Sequence, residues 1–208
     1  TVARVDITGQ SSTDFGYTSG GDLGGFNATN IIDKFPFATD SNASDVGDLT
    51  LARYQLAGQS STDFGYTSGG VSGSTTLNTI DKFPFATDFN ASDVGDLTVP
   101  REEVSGQSSA NFGYTSGGEN SSGNGVSVID KFSFTTDSNA TDVGDLTAPR
   151  VFLAGQSSTD FGYTSGGLNG SNLNIIDKFP FATNSNASDI GDLTLARYQS
   201  AGQSSTDF

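Results

Sequence analysis

Residues 9–21 read GQSSTDFGYTSGG, and residues 32–50 read IDKFPFATDSNASDVGDLT. Both blocks return down the chain. GQSS begins at Gly9, Gly58, Gly106, Gly155 and Gly202, at spacings of 49, 48, 49 and 47 residues. An arginine keeps the same beat at Arg4, Arg53, Arg101, Arg150 and Arg197. Self-similarity at one period marks a repeat architecture, in which a single supersecondary unit recurs. The chain 1–208 therefore reads as one repeat domain, with copies at approximately 9–57, 58–105, 106–154 and 155–201 and a partial copy at 202–208. The opening TVARVDITGQSSTDF and the closing TLARYQSAGQSSTDF are equivalent pieces.

Each period holds four strand candidates. In the first copy they lie between Arg4 and Ser12, over Phe15 to Ser19, over Ile31 to Thr39, and near Val46 to Leu51. Gly20-Gly21, then Asp-Ser-Asn, then Gly-Asp supply the turns between them. Period-two alternation puts Ile31, Asp33, Phe35 and Phe37 on one face of the third strand. Pro36 inside that strand predicts an edge position or a bulge. No stretch shows helical periodicity. A unit this small cannot bury a core alone, but stacked copies can, through the recurring Phe, Ile, Leu and Tyr. The expected fold is all-β: a β-propeller of four-stranded blades, each about 48 residues. An elongated β-repeat array is the alternative.

Composition narrows the function classes. Only 33% of the 208 residues are hydrophobic and the net charge is -15, a balance that borders on disorder were the aromatics not placed at fixed intervals. The chain has no Cys, which excludes disulfides and thiolate metal sites, and no His. Nine scattered basic residues against 24 acidic ones argue against a nucleic-acid partner. No run is apolar enough for membrane insertion, and no signal peptide is legible. The opening on Thr1 rather than Met is read as processing, or as a window on something longer.

The repeat resembles a degenerate kelch motif. In kelch blades one strand ends in Gly-Gly, a later strand carries an apolar-Tyr-Asp segment, and an Arg follows. Here the doublets are Gly20-Gly21, Gly69-Gly70, Gly117-Gly118 and Gly166-Gly167, IDKF stands at the later strand, and the motif's Trp is missing. The unit GYTSGG…IDKFPFATDSNASDVGDLT is also similar to repeat arrays in predicted tail-fibre and other virion proteins of marine bacteriophages. That resemblance implies a virion or extracellular location, with other virion or fibre subunits and cell-surface glycans as partners. Ser12 to Thr18 further resembles the Asp-box of sialidase-like propellers, a hairpin turn in which the carboxylate binds backbone N–H groups.

Three sets of residues are candidates for chemistry. The first is an acidic loop. Asp40, Asn42, Ser44 and Asp48 place oxygens at positions 1, 3, 5 and 9 of a nine-residue stretch that resembles the calcium loops of integrin-type propellers. The counterparts are Asp88, Asn90, Ser92 and Asp96; then Asp137, Asn139, Thr141 and Asp145; then Asn184, Asn186, Ser188 and Asp192. Such spacing would give Ca2+ a hard-oxygen shell, with an affinity on the order of 0.1–1 mM. An Asx-rich turn bonding its own backbone explains the same residues, and Asn42-Ala43-Ser44 is incidentally a glycosylation sequon. The second set is the arginines, which would pair with acids of a neighbouring blade such as Asp48 or Asp96, or else converge as an anion-binding ring. The third is the stretch after each Gly-Gly, which changes in length and chemistry while its flanks stay fixed. Phe26, Thr75, Asn124 and Asn172 mark it as the expected ligand face, or as drift in unconstrained loops.

Catalysis finds no support. There is no His base and no Cys nucleophile, and Ser12 and Ser61 are turn serines. Glu102 with Asp130 would be a glycosidase pair only if both escaped the solvated acidic surface. The expectation is a non-enzymatic structural or binding module of a phage fibre or decoration protein. A secreted kelch-type interaction propeller and a fragment of a propeller glycosidase are the alternatives.

Overall fold

The structure, a computed structural model, describes residues 2–204. β1 (Thr8–Ser11), β2 (Phe15–Ser19), β3 (Ile31–Pro36) and β4 (Ser44–Asp48) pair antiparallel in that order. The same sheet is built three more times. Its strands are Ala57–Ser60, Phe64–Ser68, Thr79–Pro84 and Ser92–Asp96; then Ser105–Ser108, Phe112–Ser116, Val128–Ser133 and Thr141–Asp145; then Ala154–Ser157, Phe161–Ser165, Ile175–Pro180 and Ser188–Asp192. Among the described residues there is no helix, and no sheet closes on itself.

The strands depart from the sequence reading at three points. β3 stops at Pro36 rather than Thr39, and it is an interior strand between β2 and β4, not an edge. Pro ends the strand because it has no N–H to donate further along the ladder. β4 begins two residues early, at Ser44. Gly47-Asp48 is therefore strand and not turn: Asp45 faces Asp33 while Gly47 faces Ile32, which leaves Val46 as the extra residue of a bulge.

Local chemistry fixes the register. Gly65 pairs across the ladder with Phe83, whose ring tip reaches over the glycine, so that a Cβ at Gly65 would clash with Cζ and both Cε atoms. Gly16, Gly113 and Gly162 carry Phe35, Phe132 and Phe179 in the same way. The first strands need glycine for another reason. Gly58, Gly106 and Gly155 each lie against the carbonyl of the preceding Gly9, Gly58 or Gly106, an approach that a side chain would block.

Successive sheets pack face to face. Tyr17 of the first sheet stacks on Phe85 of the second, with centroids 4.8 Å apart, and its hydroxyl donates to the Phe85 carbonyl. Tyr66 meets Phe134 and Tyr114 meets Phe181 in the same geometry, both at 4.7 Å. Ile32, Leu49 and Leu56 complete the first of three such core layers. Polar contacts run beside them: the Gln10 amide donates to the Tyr66 carbonyl, and the Ser11 N–H donates to Ser60 Oγ.

A buried ion pair closes each joint. Arg53 lies on the link between the first and second sheets and meets Asp81 of the second at 3.1 Å, both side chains being 0% exposed. Asp81 also accepts from the Thr50 N–H and hydroxyl, so one carboxylate holds the link at two places. Asp130 does the same for Arg101 and Thr98, and Asp177 for Arg150 and Thr147. The arginines thus pair with the Asp of IDKF, not with Asp48 or Asp96. Burial pulls the Arg53 guanidinium below its ordinary pKa and Asp81 pushes it back up; it stays charged.

Two substitutions test these constraints. Gly65→Ala is expected to cost about 1–3 kcal/mol, because the Phe83 ring must shift. Asp81→Asn strands a buried guanidinium and is expected to cost about 3–5 kcal/mol. Urea unfolding of each variant against the parent measures both; a near-neutral Asp81→Asn would remove the ion pair from its place in the joint.

Candidate functional site

The link that carries each arginine also carries the residues with the most chemical variety. It reads ARVDIT, ARYQLA, PREEVS, PRVFLA and ARYQSA from Ala3, Ala52, Pro100, Pro149 and Ala196. The fourth position of each is Asp6, Gln55, Glu103, Phe152 or Gln199, and all five have left-handed backbone, with φ between 53° and 58°. Non-glycine residues adopt that conformation at a cost of about 1–2 kcal/mol each. A relay of backbone hydrogen bonds offsets it. Gln55 N donates to the Asp6 carbonyl at 3.1 Å, Glu103 N to Gln55 at 2.9 Å, Phe152 N to Glu103 at 3.2 Å, and Gln199 N to Phe152 at 3.0 Å.

The five residues surround one hollow of about 280 Å³, floored by Leu56, Val104 and Leu153. Gln55 Nε2 approaches Glu103 Oε1 at 3.5 Å, while Glu103 Oε2 is buried with no protein partner. Burial, reinforced by Glu119, Glu102 and Asp6, pushes the Glu103 carboxyl up to about 8. It is therefore protonated at neutral pH and carries a free O–H donor. Phe152 lies 5.9 Å from the ring of Tyr198 at the rim.

The expected ligand-face residues belong to the same end of the array. Val5 bridges Asp22, Tyr54 bridges Val71, Arg101–Glu102 pairs with Glu119–Asn120, and Val151 bridges Leu168. Asp6, Gln55, Glu103 and Phe152 therefore each follow a link residue bonded to the stem of a variable segment. Phe26, Thr75, Asn124 and Asn172 are exposed on those segments. The segments are ordered from within: Asp22 accepts from the N–H groups of Gly24, Phe26 and Asn27, and Asn120 from those of Ser122 and Asn124. The mouth residues themselves escaped the sequence reading. The signal available was their change of chemistry inside a link that otherwise repeats.

The acidic stretch is placed differently from a wrapped loop. Asp40 and Asn42 lie ahead of β4, but Ser44 and Asp48 begin and end it, and an extended strand turns successive side chains to opposite faces. Ser92, Thr141 and Ser188 likewise open strands that Asp96, Asp145 and Asp192 close. The oxygens ahead of these strands reach across to the preceding sheet. Asn90, Asn139 and Asn186 accept from the backbone N–H of Asp48, Asp96 and Asp145 at 3.1–3.2 Å. Asp88, Asp137 and Asn184 accept from Lys34, Lys82 and Lys131. Among the described residues no group of three or more His, Cys, Asp or Glu is arranged to hold a metal ion.

Three other expectations are resolved by placement. The arginines form no ring: Arg4, Arg53, Arg101 and Arg150 are each spent on an aspartate, and Arg197 donates to the Leu195 carbonyl. Asp130 is 0% exposed and bound to Arg101 and Thr98, which takes it away from Glu102 as a hydrolytic partner. The serine, not the aspartate, closes the Asp-box-like turn: the Phe15 N–H donates to Ser12 Oγ and the Ser12 N–H to the Phe15 carbonyl. Among the described residues no helix is long and apolar enough to cross a membrane.

The fold is similar to that of the solved structure of YjhT, with a TM-score of 0.78 and 13% sequence identity over 93% of this chain and 67% of that one. No protein-family model and no curated protein matches the sequence.

The Glu103 carboxyl gives the site a pH signature. Its pKa is raised from 4.5 in the unfolded chain to about 8 in the folded one, so the folded state holds the extra proton between those values. Stability from this group is present below pH 4.5 and is lost as pH rises through 8. Glu103→Gln should therefore melt like the parent at acid pH and above it at pH 9, by about 1–2 kcal/mol, since the half-exposed site screens part of the shift. Thermal melts across that range measure it, and equal melting at both ends would show an unperturbed carboxyl.

Proposed function

We propose that the chain is a non-enzymatic binding module, folded as a kelch-like β-propeller or an arc of one, whose ligand enters the mouth ringed by Asp6, Gln55, Glu103, Phe152 and Gln199. The observation that carries this reading is that five equivalent positions, held alike by one backbone relay, bear four kinds of side chain around a single hollow. Scaffold need explains the shared backbone but not the variety of side chains. The propeller geometry is supported by the way equivalent residues of every copy reach that hollow, and by a second hollow along Gly9, Gly58, Gly106, Gly155 and Gly202. Positions that recur once per sheet meet in this way when sheets turn about a common axis.

The chemistry of the mouth favours a glycan. Amides and a protonated carboxyl can exchange hydrogen bonds with sugar hydroxyls, and the Phe152–Tyr198 pair offers an apolar face for a sugar ring. The exposed segments at Phe26, Thr75, Asn124 and Asn172 extend the same end toward a larger surface. The resemblance to phage repeat arrays supports a setting on a virion fibre or decoration protein, with other fibre subunits as neighbours and host-surface glycans as the target.

Binding to a glycan panel and to intact marine bacterial cells tests the proposal. Phe152→Ala and Gln55→Ala are each expected to weaken saturable binding about tenfold, roughly 1.4 kcal/mol, without lowering the melting temperature. Binding should fall above pH 8 in the parent as Glu103 ionises, and persist in Glu103→Gln. Absence of saturable binding by the parent chain would leave a spacer or decoration protein as the better account.

A further inference from the structure

One copy departs from the others beside the mouth. Where the link meets the stem of the variable segment, Val5 faces Asp22, Tyr54 faces Val71 and Val151 faces Leu168, so each of these pairs has an apolar member. The third copy instead sets Glu102 directly opposite Glu119, and Glu103 follows on the same link. Residues paired across an antiparallel ladder hold their side chains on one face, about 5 Å apart at Cβ, and like charges placed there repel. The scaffold has no need of the pair, since the equivalent positions are built without it. Among the described residues neither Glu102 nor Glu119 takes part in an ion pair. Nor are they and Glu103 arranged as a group that could hold a metal ion.

The field of this pair reaches the mouth. Burial, and after it Glu119, holds the Glu102 carboxyl above its ordinary range. Glu119 and Glu102 likewise add to the burial that keeps Glu103 protonated. The described residues that line the hollow include Asp6 and Glu103 but no lysine or arginine. The neighbouring Arg101 and Arg150 are 0% exposed and held by Asp130 and Asp177.

We propose that the Glu102–Glu119 pair is a charge filter, which admits uncharged glycans to the mouth and turns away glycans that bear carboxylate or sulfate groups. The proposal rests on the glycan reading of the mouth and narrows its substrate class. A sugar hydroxyl entering the hollow meets the Gln55 amide and the neutral Glu103 carboxyl. A sugar carboxylate entering the same hollow loses water, finds no cation and faces two glutamates of its own sign. Juxtaposed like charges suppress the wrong partner, and a specific site gains as much from repelling a competitor as from attracting its ligand. The pair therefore has a use at the mouth that it lacks in the fold.

Isothermal titration with matched sugars tests the filter. Galactose, glucose and mannose tetrasaccharides are compared with the galacturonate, glucuronate and mannuronate tetrasaccharides of the same linkage, at neutral pH and low salt. The parent is expected to bind at least one neutral member, and its uronate about tenfold more weakly or worse. The gap should narrow as salt is added, because screening weakens repulsion at the surface. In the double variant Glu102→Gln, Glu119→Gln, neutral binding should hold while the gap shrinks to about threefold or less. That variant loses a repulsive pair and should melt no lower than the parent. A parent that binds a uronate as tightly as its neutral match, a gap that salt leaves unchanged, or a folded double variant that keeps the whole gap would overturn the filter and leave the glycan reading standing. Binding of neither class by the parent would overturn both.

Discussion

A guanidinium removed from water must find a carboxylate, and the pairing of Arg53, Arg101 and Arg150 with Asp81, Asp130 and Asp177 governs how this chain passes from one sheet to the next. The link leaves an outer strand, gives its threonine and arginine to one aspartate, and is thereby aimed at the position of the next first strand. The carbonyl of Arg53 then accepts from Gly21 N–H and that of Arg101 from Gly70 N–H, so the Gly-Gly turn of the earlier sheet is tied to the same joint. Buried ion pairs add little net stability against an apolar replacement, but they punish any arrangement that leaves one member alone. That trade suits a chain that is only 33% hydrophobic. Thin aromatic layers supply the cohesion, and the ion pairs exclude the alternatives.

Repetition and variation are divided between parts of the unit. Positions that build joints, such as the Gly of FGYTS, the Tyr beside it and the Asp of IDKF, return in all four sheets. Positions that face the mouth or rise beside it differ from copy to copy. The left-handed link residue is the clearest case. Its backbone is dictated by the relay to the preceding unit, while its side chain faces the hollow, where its neighbours are the equally variable residues of the adjoining links. One conformation therefore tolerates Asp, Gln, Glu and Phe alike.

The repeat and its four strands were legible because periodic turns and alternating apolar residues leave a direct mark on the sequence. The details that failed share a cause, which is that local pattern was read without its partner strand. FPFAT continues the alternation past Pro36, so the third strand looked longer than its ladder allows. Gly47-Asp48 looked like a turn because nothing in the sequence shows that Gly47 sits across from Ile32 at a bulge. The placement of Ser44 to Asp48 in a strand, with Asn90 accepting across to the preceding sheet, was likewise out of reach of a single stretch of sequence. Asp6, Gln55, Glu103 and Phe152 went unread because the link looked like mere connection. Their convergence exists only once the units are stacked.

The sameness of the joints has a consequence for how the chain reaches this structure. Tyr17 would stack on Phe134 as readily as on Phe85, for the chemistry offers no means of telling the third sheet from the second. What distinguishes them is the leash: eight residues separate Asp48 from Ala57, so the adjacent unit is presented first and at far higher local concentration. Correct assembly is thus a matter of order of arrival. A chain emerging from the ribosome meets this condition unit by unit, whereas a whole chain refolding from denaturant offers all its interchangeable faces at once and is open to skipped units and exchange between molecules.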